Sequence, residues 1–362
     1  MTAARLQGKI EIGSAGIVYH FWEHFTTITQ NGLILNFNGE HAVTIDYATK
    51  RGMQVKRAVY FFCPLPELDI VAHNVLESLR ARYPLREMGL TVDNLPAYAM
   101  EDGAGNRYDF VSMDYYFSHR YDRYLEMANT HFGDYDVAGY INWHGGANAP
   151  DKVLTAHTIG DVVTGVYAPS HPTYLRNLAV AIERGRAAAG LLDFTTHTEA
   201  THWSGAIHGS DTTLIAQFQV PLFDIEIGSE PETLANPAAA QVLADALLQV
   251  FSSDERPISI LCLGGIHFDS TYSEALIQEE RPISIGHFLP TIWLANGDYS
   301  GERGLELLRR AREAVVGGVD AIVFNDNMQK PFKDCIRAFA QETGLPLLKH
   351  RTLRTPGSFL QK

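Results

Sequence analysis

The stretch Tyr135-Asp-Val-Ala-Gly-Tyr-Ile-Asn-Trp-His144 decides the architecture. Its apolar run, residues 136–142, ends on an indole and an imidazole. A short apolar run bounded by polar residues reads as a buried strand. Similar runs follow at 152–156, 192–196, 222–227, 258–263, 283–285 and 321–324. Between them lie helical periodicities at 174–188, 238–251, 302–316 and 332–342, with Pro237 suited to the first turn of its helix. Strands alternating with helices predict an α/β fold of three layers: a mostly parallel or mixed sheet with helices on both faces. Upstream, residues 33–37 and 41–45 flank Asn38-Gly39, which reads as a hairpin turn. Residues 58–63 read as a buried strand ending at Pro64, 68–82 as a helix, 109–116 as a strand and 121–128 as a helix. The expected division is an N-terminal region, 1–130, which forms a subdomain or adds strands to the same sheet, and an α/β core, 131–362.

The 362 residues include 42 acidic and 29 basic side chains, a net charge of −13, and 46% are hydrophobic. That balance excludes a mainly disordered chain. It also argues against a generic nucleic-acid coat, while leaving room for a basic patch on one face. Fifteen histidines against three cysteines point to any metal site being built from imidazole and carboxylate. Cys63, Cys262 and Cys335 are far apart and form no CxxC, so a reducing compartment is expected. The first ten residues lack a signal-peptide apolar stretch, and no apolar run is long enough for a bilayer. A cytoplasmic protein is the expectation.

The histidines are ordered. His144, His157, His197, His202, His267 and His287 each follow or close an apolar run. If those runs are parallel strands, most of the imidazoles emerge at one carboxyl edge, where open α/β sheets place their ligand crevice. Several imidazoles there can bind a divalent metal, zinc first. Any one of them alone would be an ordinary hydrogen-bonded structural histidine. Glu199-Ala-Thr-His202 adds a carboxylate that can serve as base or ligand. Gly264-Gly265 before His267 permits close backbone approach to a ligand, or simply a tight turn. In Asp224-Ile-Glu226, Glu226 is placed to orient a histidine, or both acids lie on a solvated face. No nucleophile elbow and no Walker or dinucleotide glycine pattern occurs. Tyr115-Tyr116-Phe117 and the following Arg120 and Arg123 read as core packing more readily than as a base-stacking surface.

Five strings occur in order: Leu154-Thr-Ala-His-Thr-Ile-Gly160, Glu199-Ala-Thr-His202, Asp224-Ile-Glu-Ile-Gly-Ser229, Leu263-Gly-Gly-Ile-His267 and Ile285-Gly-His-Phe-Leu-Pro290. Together with Val319-Asp-Ala-Ile-Val323 and Glu342-Thr-Gly-Leu-Pro-Leu-Leu-Lys349, they resemble the D-aminoacyl-tRNA deacylase family of the archaeal and plant type, over roughly 135–350. The resemblance implies a phosphorylase/hydrolase-like α/β fold and a zinc-dependent hydrolase with one or two Zn2+ ions. Its substrate would be the ester between a D-amino acid and the tRNA 3′ end, so the partner is aminoacyl-tRNA or a small aminoacyl compound. The candidates are His157, His202 and His267 as metal ligands, Glu199 as base, and His144 and His287 as substrate or transition-state contacts. The chain departs from the family's Glu-Ala-Thr-His-His-Gly-Pro at Trp203-Ser204-Gly205, and a longer segment adds His208 and Asp211. Trp203 neither ligates a metal nor exchanges a proton. The departure therefore supports an alternative: a related hydrolase of specialised metabolism cleaving an amide or ester on a small molecule or carrier peptide. A non-catalytic binding protein is the third reading, opposed by the presence of Glu199, His202 and His267.

Overall fold

The computed structural model describes residues 55–146 and 149–355, together with the backbone of five strands before them. The chain falls into two compact units, Met1–Val55 and Lys56–Lys362. In the first unit β1 (Gly8–Gly13) pairs antiparallel with β2 (Gly16–Phe21). Strands β3 (Thr27–Thr29), β4 (Gly32–Phe37) and β5 (His41–Asp46) form an antiparallel sheet, in which Phe37 faces His41. The Asn38-Gly39 turn lies outside the described residues.

The second unit begins with β6 (Arg57–Phe62), α1 (Ile70–Arg82), a hairpin of β7 (Arg86–Val92) and β8 (Leu95–Glu101), then β9 (Arg107–Ser112) and α2 (Tyr121–Phe132). The hairpin is absent from the sequence expectation. It turns at Asp93-Asn94, both at positive φ, a pairing suited to a tight turn. Next come β10 (Val137–His144), β11 (Lys152–Thr158), the short β12 (Gly160–Asp161) and β13 (Val166–Tyr167), α3 (Pro172–Ala188), β14 (Thr195–His197), α4 (Ser204–Ile207) and β15 (Leu222–Ser229). Strands of this half form one eight-stranded mixed sheet in the order β14-β11-β15-β10-β6-β9-β8-β7. Strands from residues 57–112 thus share a sheet with those from 137–229. Strands β15, β10, β6 and β9 run parallel, but β11 is antiparallel to β15.

The remainder is α5 (Pro231–Leu234), α6 (Pro237–Leu247), β16 (Ile258–Leu263), α7 (Ser270–Ile277), β17 (Ile283–Leu289), α8 (Thr291–Asn296), α9 (Gly301–Glu313), β18 (Ala321–Phe324), α10 (Lys330–Thr343) and β19 (Leu347–Lys349). Its four strands make a second sheet, β17-β16-β18-β19, parallel throughout.

Helix formation follows local chemistry. Asn236 caps α6, accepting from the Ala238 and Ala239 amides at 3.0 Å. In α3, Leu175, Leu178 and Ile182 fall on one face and are buried with Leu243 and Leu247 of α6. Each such side chain contributes roughly 1.5–3 kcal/mol of burial. That core covers one face of the large sheet, through Phe223, Ile225 and Ile227 of β15. Helix α2 covers the other with Tyr121, Tyr124 and Phe132. The aromatic stretch is therefore core: Phe117 stacks on Phe61 at 4.3 Å, although Tyr115 stays partly exposed. The three cysteines are buried free thiols. No helix of the described residues is long and apolar enough to cross a membrane.

Candidate active site

Period-two alternation selects which side chains leave the apolar core. In β15 the odd-numbered Phe223, Ile225 and Ile227 join the core, so Asp224 and Glu226 point to the opposite face. In β11 Leu154 and Ala156 join it, leaving Thr155 and His157; in β10 Ile141 joins it, leaving Asn142 and His144. The register brings these together. His157 lies opposite Asp224, and Asn142 opposite Glu226. Asn142 Nδ2 donates to Asp224 Oδ1 at 3.1 Å, and His144 Nδ1 lies 2.7 Å from Glu226 Oε2. All six of these polar side chains are buried.

The segment 198–202 is stitched across this face. The Gly160 amide donates to the His202 carbonyl at 3.3 Å, tying it to the end of β11. The Ala200 amide donates to the His267 carbonyl at 3.0 Å and the Thr201 amide to the Phe288 carbonyl at 2.7 Å, tying it to the second sheet. Glu199 therefore sits at the seam between the sheets. Its Oε2 accepts from His267 Nε2 at 2.8 Å and lies 3.3 Å from His144 Nδ1. His202 stacks on His157 with ring centres 4.1 Å apart, and His267 is 5.0 Å from His202. His157 Nδ1 donates to the Thr158 carbonyl and His202 Nδ1 to the Ala200 carbonyl, which turns both Nε2 atoms toward the cluster as acceptors.

The electrostatics divide the carboxylates. Burial opposes ionisation of Glu199, but His157, His267, His144 and His202 together outweigh it and hold its carboxyl well below the usual range. Burial, then the Glu199 and neighbouring carboxylate charges, push Glu226 and Asp224 well above theirs. Burial pushes His157 down to about 4 and takes His202 well below the usual imidazole value. Neutral imidazoles beside an ionised carboxylate are the protonation states that metal ligands need.

Three sets of side chains bring ligand atoms within 4.8 Å of one another: His157, Glu199 and His202; His144, Glu199 and Glu226; His157, Asp224 and Glu226. His157 Nε2, Glu199 Oε1 and Asp224 Oδ2 are buried without a hydrogen-bond partner among the described residues. Orphaned acceptors in such number are costly unless a cation satisfies them. Nitrogen and oxygen donors of this kind suit zinc.

A cavity of about 430 Å³ opens onto the cluster. His144, His202 and His267 form one side, and Val162, Val163, Trp203, Ile207 and Trp293 the apolar remainder. Trp203 is almost fully buried against Tyr121, with Gly205 beneath it; a Cβ there would lie 2.3 Å from the indole. Trp293, 5.4 Å from His267, was not singled out by sequence, where only its place after Ile285-Gly-His-Phe-Leu-Pro290 marks it.

The sequence candidates divide. His144, His157, Glu199, His202 and His267 come together. His287 does not reach the cavity: it is fully buried, bonded through Nδ1 to Thr158 and Thr201, and pushed down to about 3 by burial. His197 bonds Ser273, and His208 packs with a tilted ring against His119 at 3.9 Å, both apart from the cluster. The single carboxyl edge expected from parallel strands is also corrected. Because β11 runs antiparallel to β15, His157 enters from within a strand, level with Asp224, rather than from an edge loop.

A family model of D-aminoacyl-tRNA deacylases matches residues 131–348, more than half of the chain. The chain belongs to the D-aminoacyl-tRNA deacylase family. A D-aminoacyl-tRNA deacylase of Thermococcus kodakarensis is 25% identical over 293 residues, covering 78% of this chain and 97% of that one. One of Methanosphaerula palustris is 28% identical over 220 residues, 58% of this chain and 44% of its own length, so the chain spans less than half of that relative. Among solved structures, a conserved protein of unknown function, AF0625, superposes with a TM-score of 0.65 at 17% identity, over 83% of this chain and 98% of that one. That likeness fixes the fold, and the mixed α/β architecture agrees with the sequence expectation. The low identities mark a divergent family member.

Proposed function

We propose that this protein is a metal-dependent hydrolase of an aminoacyl ester, with D-aminoacyl-tRNA as substrate. The observation that carries the reading is one carboxylate, Glu199, buried among the imidazoles of His144, His157, His202 and His267, three of which line a cavity. His157 and His202 with Glu199 would hold one Zn2+, and His144 and Glu226 with the same Glu199 a second. Zinc bound there supplies Lewis acidity toward the ester carbonyl and lowers the pKa of its water.

The roles expected for Glu199 and His267 exchange in this reading. Glu199 belongs to two of the three donor sets, and its low pKa suits a ligand better than a base. His267 belongs to none of them, lines the cavity and is oriented by its bond to Glu199. It is the proposed proton carrier, from the attacking water to the departing ribose oxygen. His287 acts indirectly, holding the Thr158 and Thr201 hydroxyls, of which Thr201 lines the cavity. The apolar wall of Trp203 and Trp293 would receive the amino-acid side chain.

The test is deacylation of D- and L-aminoacyl-tRNA, before and after chelation. D-selective turnover, lost on chelation and restored by Zn2+, is expected. Turnover that survives complete metal removal would overturn the metal role. The second reading, a hydrolase of a small-molecule or carrier-peptide amide or ester, is favoured by Trp203, which fills the wall where the family pattern carries histidine. No turnover of either tRNA by the metal-bound protein would select it.

A further inference from the structure

A second cavity, about 500 Å³, adjoins the first across Phe268, which lines both. It lies at the carboxyl edge of the four-stranded parallel sheet. Its walls come from the segments following β16, β18 and β19: Gly265 and Phe268, Asn325, and His350 with Arg354. This is the edge at which a parallel sheet places a ligand, and none of these groups belongs to the metal-ligand sets.

Three independent features define what would fit. The first is charge. Arg354 lines the cavity, and Asp269, the acid in its lining, is engaged by His350 at 2.8 Å. The segment 325–355 that supplies one side carries six Lys or Arg and three Asp or Glu in a chain of −13, although Lys330, Arg337 and Lys349 are paired with its own acids. The second is the form of the donors. Arg354 is exposed and anchored by bonds from Nε and one terminal nitrogen to Thr271 Oγ1, at 2.9 and 2.7 Å. That leaves donors of a fixed guanidinium directed by the anchor, the arrangement that suits phosphate. The third is the apolar lip. Ile266, which lines this opening, is 70% exposed. Gly264 and Gly265, at φ +82 and +96, let the loop bearing Ile266 fold over the sheet edge; a Cβ on Gly265 would lie 2.6 Å from Asp269 Oδ2.

We propose that this cavity is a nucleotide subsite: it takes a phosphate–ribose–base unit of the single-stranded RNA 3′ end while the aminoacyl ester occupies the cavity on the other side of Phe268. Arg354 meets the phosphodiester, and Arg351, exposed on the same 3-10 turn (His350–Arg354), adds positive charge nearby. Phe268 and the Asn325 side chain flank the base. The inference rests on the tRNA reading and gives it a location: a protein of acidic balance meets RNA through one basic edge.

The test uses the full chain and an uncharged RNA minihelix ending in single-stranded 3′ CCA, titrated by fluorescence anisotropy at several salt concentrations. R354E is expected to raise the Kd about 10-fold or more and to flatten the salt dependence by about 0.7 in log–log slope for each phosphate that is no longer neutralised. R354K keeps the charge but not the fork anchored on Thr271, so it should recover only part of the lost affinity, and R351E should weaken binding in the same direction. Hydrolysis of a D-amino acid methyl ester, which has no nucleotide, should be unchanged in all three. Wild-type affinity and slope in both R354E and R351E would overturn the subsite while leaving the tRNA reading intact. A methyl ester rate that falls in parallel with binding would assign Arg354 to the fold instead. No binding of the minihelix by the wild-type protein would remove the tRNA reading and the subsite together.

Discussion

The two sheets contribute to the site in opposite ways. The eight-stranded sheet supplies side chains from inside its strands: His144, His157, Asp224 and Glu226 are buried and tied to neighbouring ladders. The four-stranded sheet supplies a loop: His267 follows Gly264-Gly265 and its side chain is one-third exposed. Glu199 is bonded between them. In the proposed reading, the difference teaches that rigid, dry metal ligands and a proton-carrying group would come from different scaffolds. A metal centre benefits from positions set by hydrogen-bonded strands, and a proton carrier needs access to the substrate space.

The strongest way to break that comparison is at the seam. E199Q removes the negative charge both scaffolds share, and deacylation should fall about 100- to 10,000-fold, with metal lost in elemental analysis. Full metal content in E199Q would return Glu199 to the role of base. Next, H157A and H267A should part company. H157A should lose metal and lower the melting temperature by several degrees, since a buried side chain is worth roughly 2–4 kcal/mol. H267A should keep metal and melting temperature while losing rate. Equal metal loss in both would erase the division of labour between the sheets.

The smallest effect concerns two helix caps. Asp269 caps α7 and is bonded to His350 at 2.8 Å. Asp69 caps α1 by accepting from the Ala72 amide, but its Oδ2 is buried without a hydrogen-bond partner among the described residues. Burial pushes Asp69 up from 3.8 to about 7. The folded state thus holds its proton more tightly than the unfolded chain. The stability this contributes is complete below about pH 4 and is lost as pH rises through about 7. D69N keeps an N-cap and removes the titration, so its melting temperature should decline less between pH 5 and 8, by a few degrees. Parallel pH curves for wild type and D69N would refute the assignment.

Much of this was legible in the sequence. Alternating runs and helical periodicities gave the α/β class because burial on both faces makes parallel strands uniformly apolar. The polar intrusions into those runs, Asn142-Trp-His144, Thr155-Ala-His157 and Asp224-Ile-Glu226, are i, i+2 pairs, so each pair had to share a face. What the sequence does not carry is pairing between distant strands. Nothing in Val153-Leu-Thr-Ala-His157 says that it runs antiparallel to β15, and so the expectation of one carboxyl edge misplaced His157. His287 looked equivalent to His267, because both follow apolar runs near glycine. Only the position of β17 at the sheet edge, against Tyr167 and Thr201, buries it. Trp293 had no signal beyond its place after the Ile285–Pro290 string, since an indole in a short helix is an ordinary packing residue.

The antiparallel insertion of β11 has one more consequence. Strands keep their faces only when they shift by an even number of residues. A two-residue slip of β11 against β15 would leave its apolar side chains in the core and bring Thr155 or Ile159 opposite Asp224 in place of His157. The misregistered sheet would also displace the fully buried Ile159 and the pairing of β11 with β14, and it would have one candidate ligand fewer. If the site holds metal as proposed, ion binding would add to the packing preference for the native register, so the ion would help to select strand alignment while the chain matures.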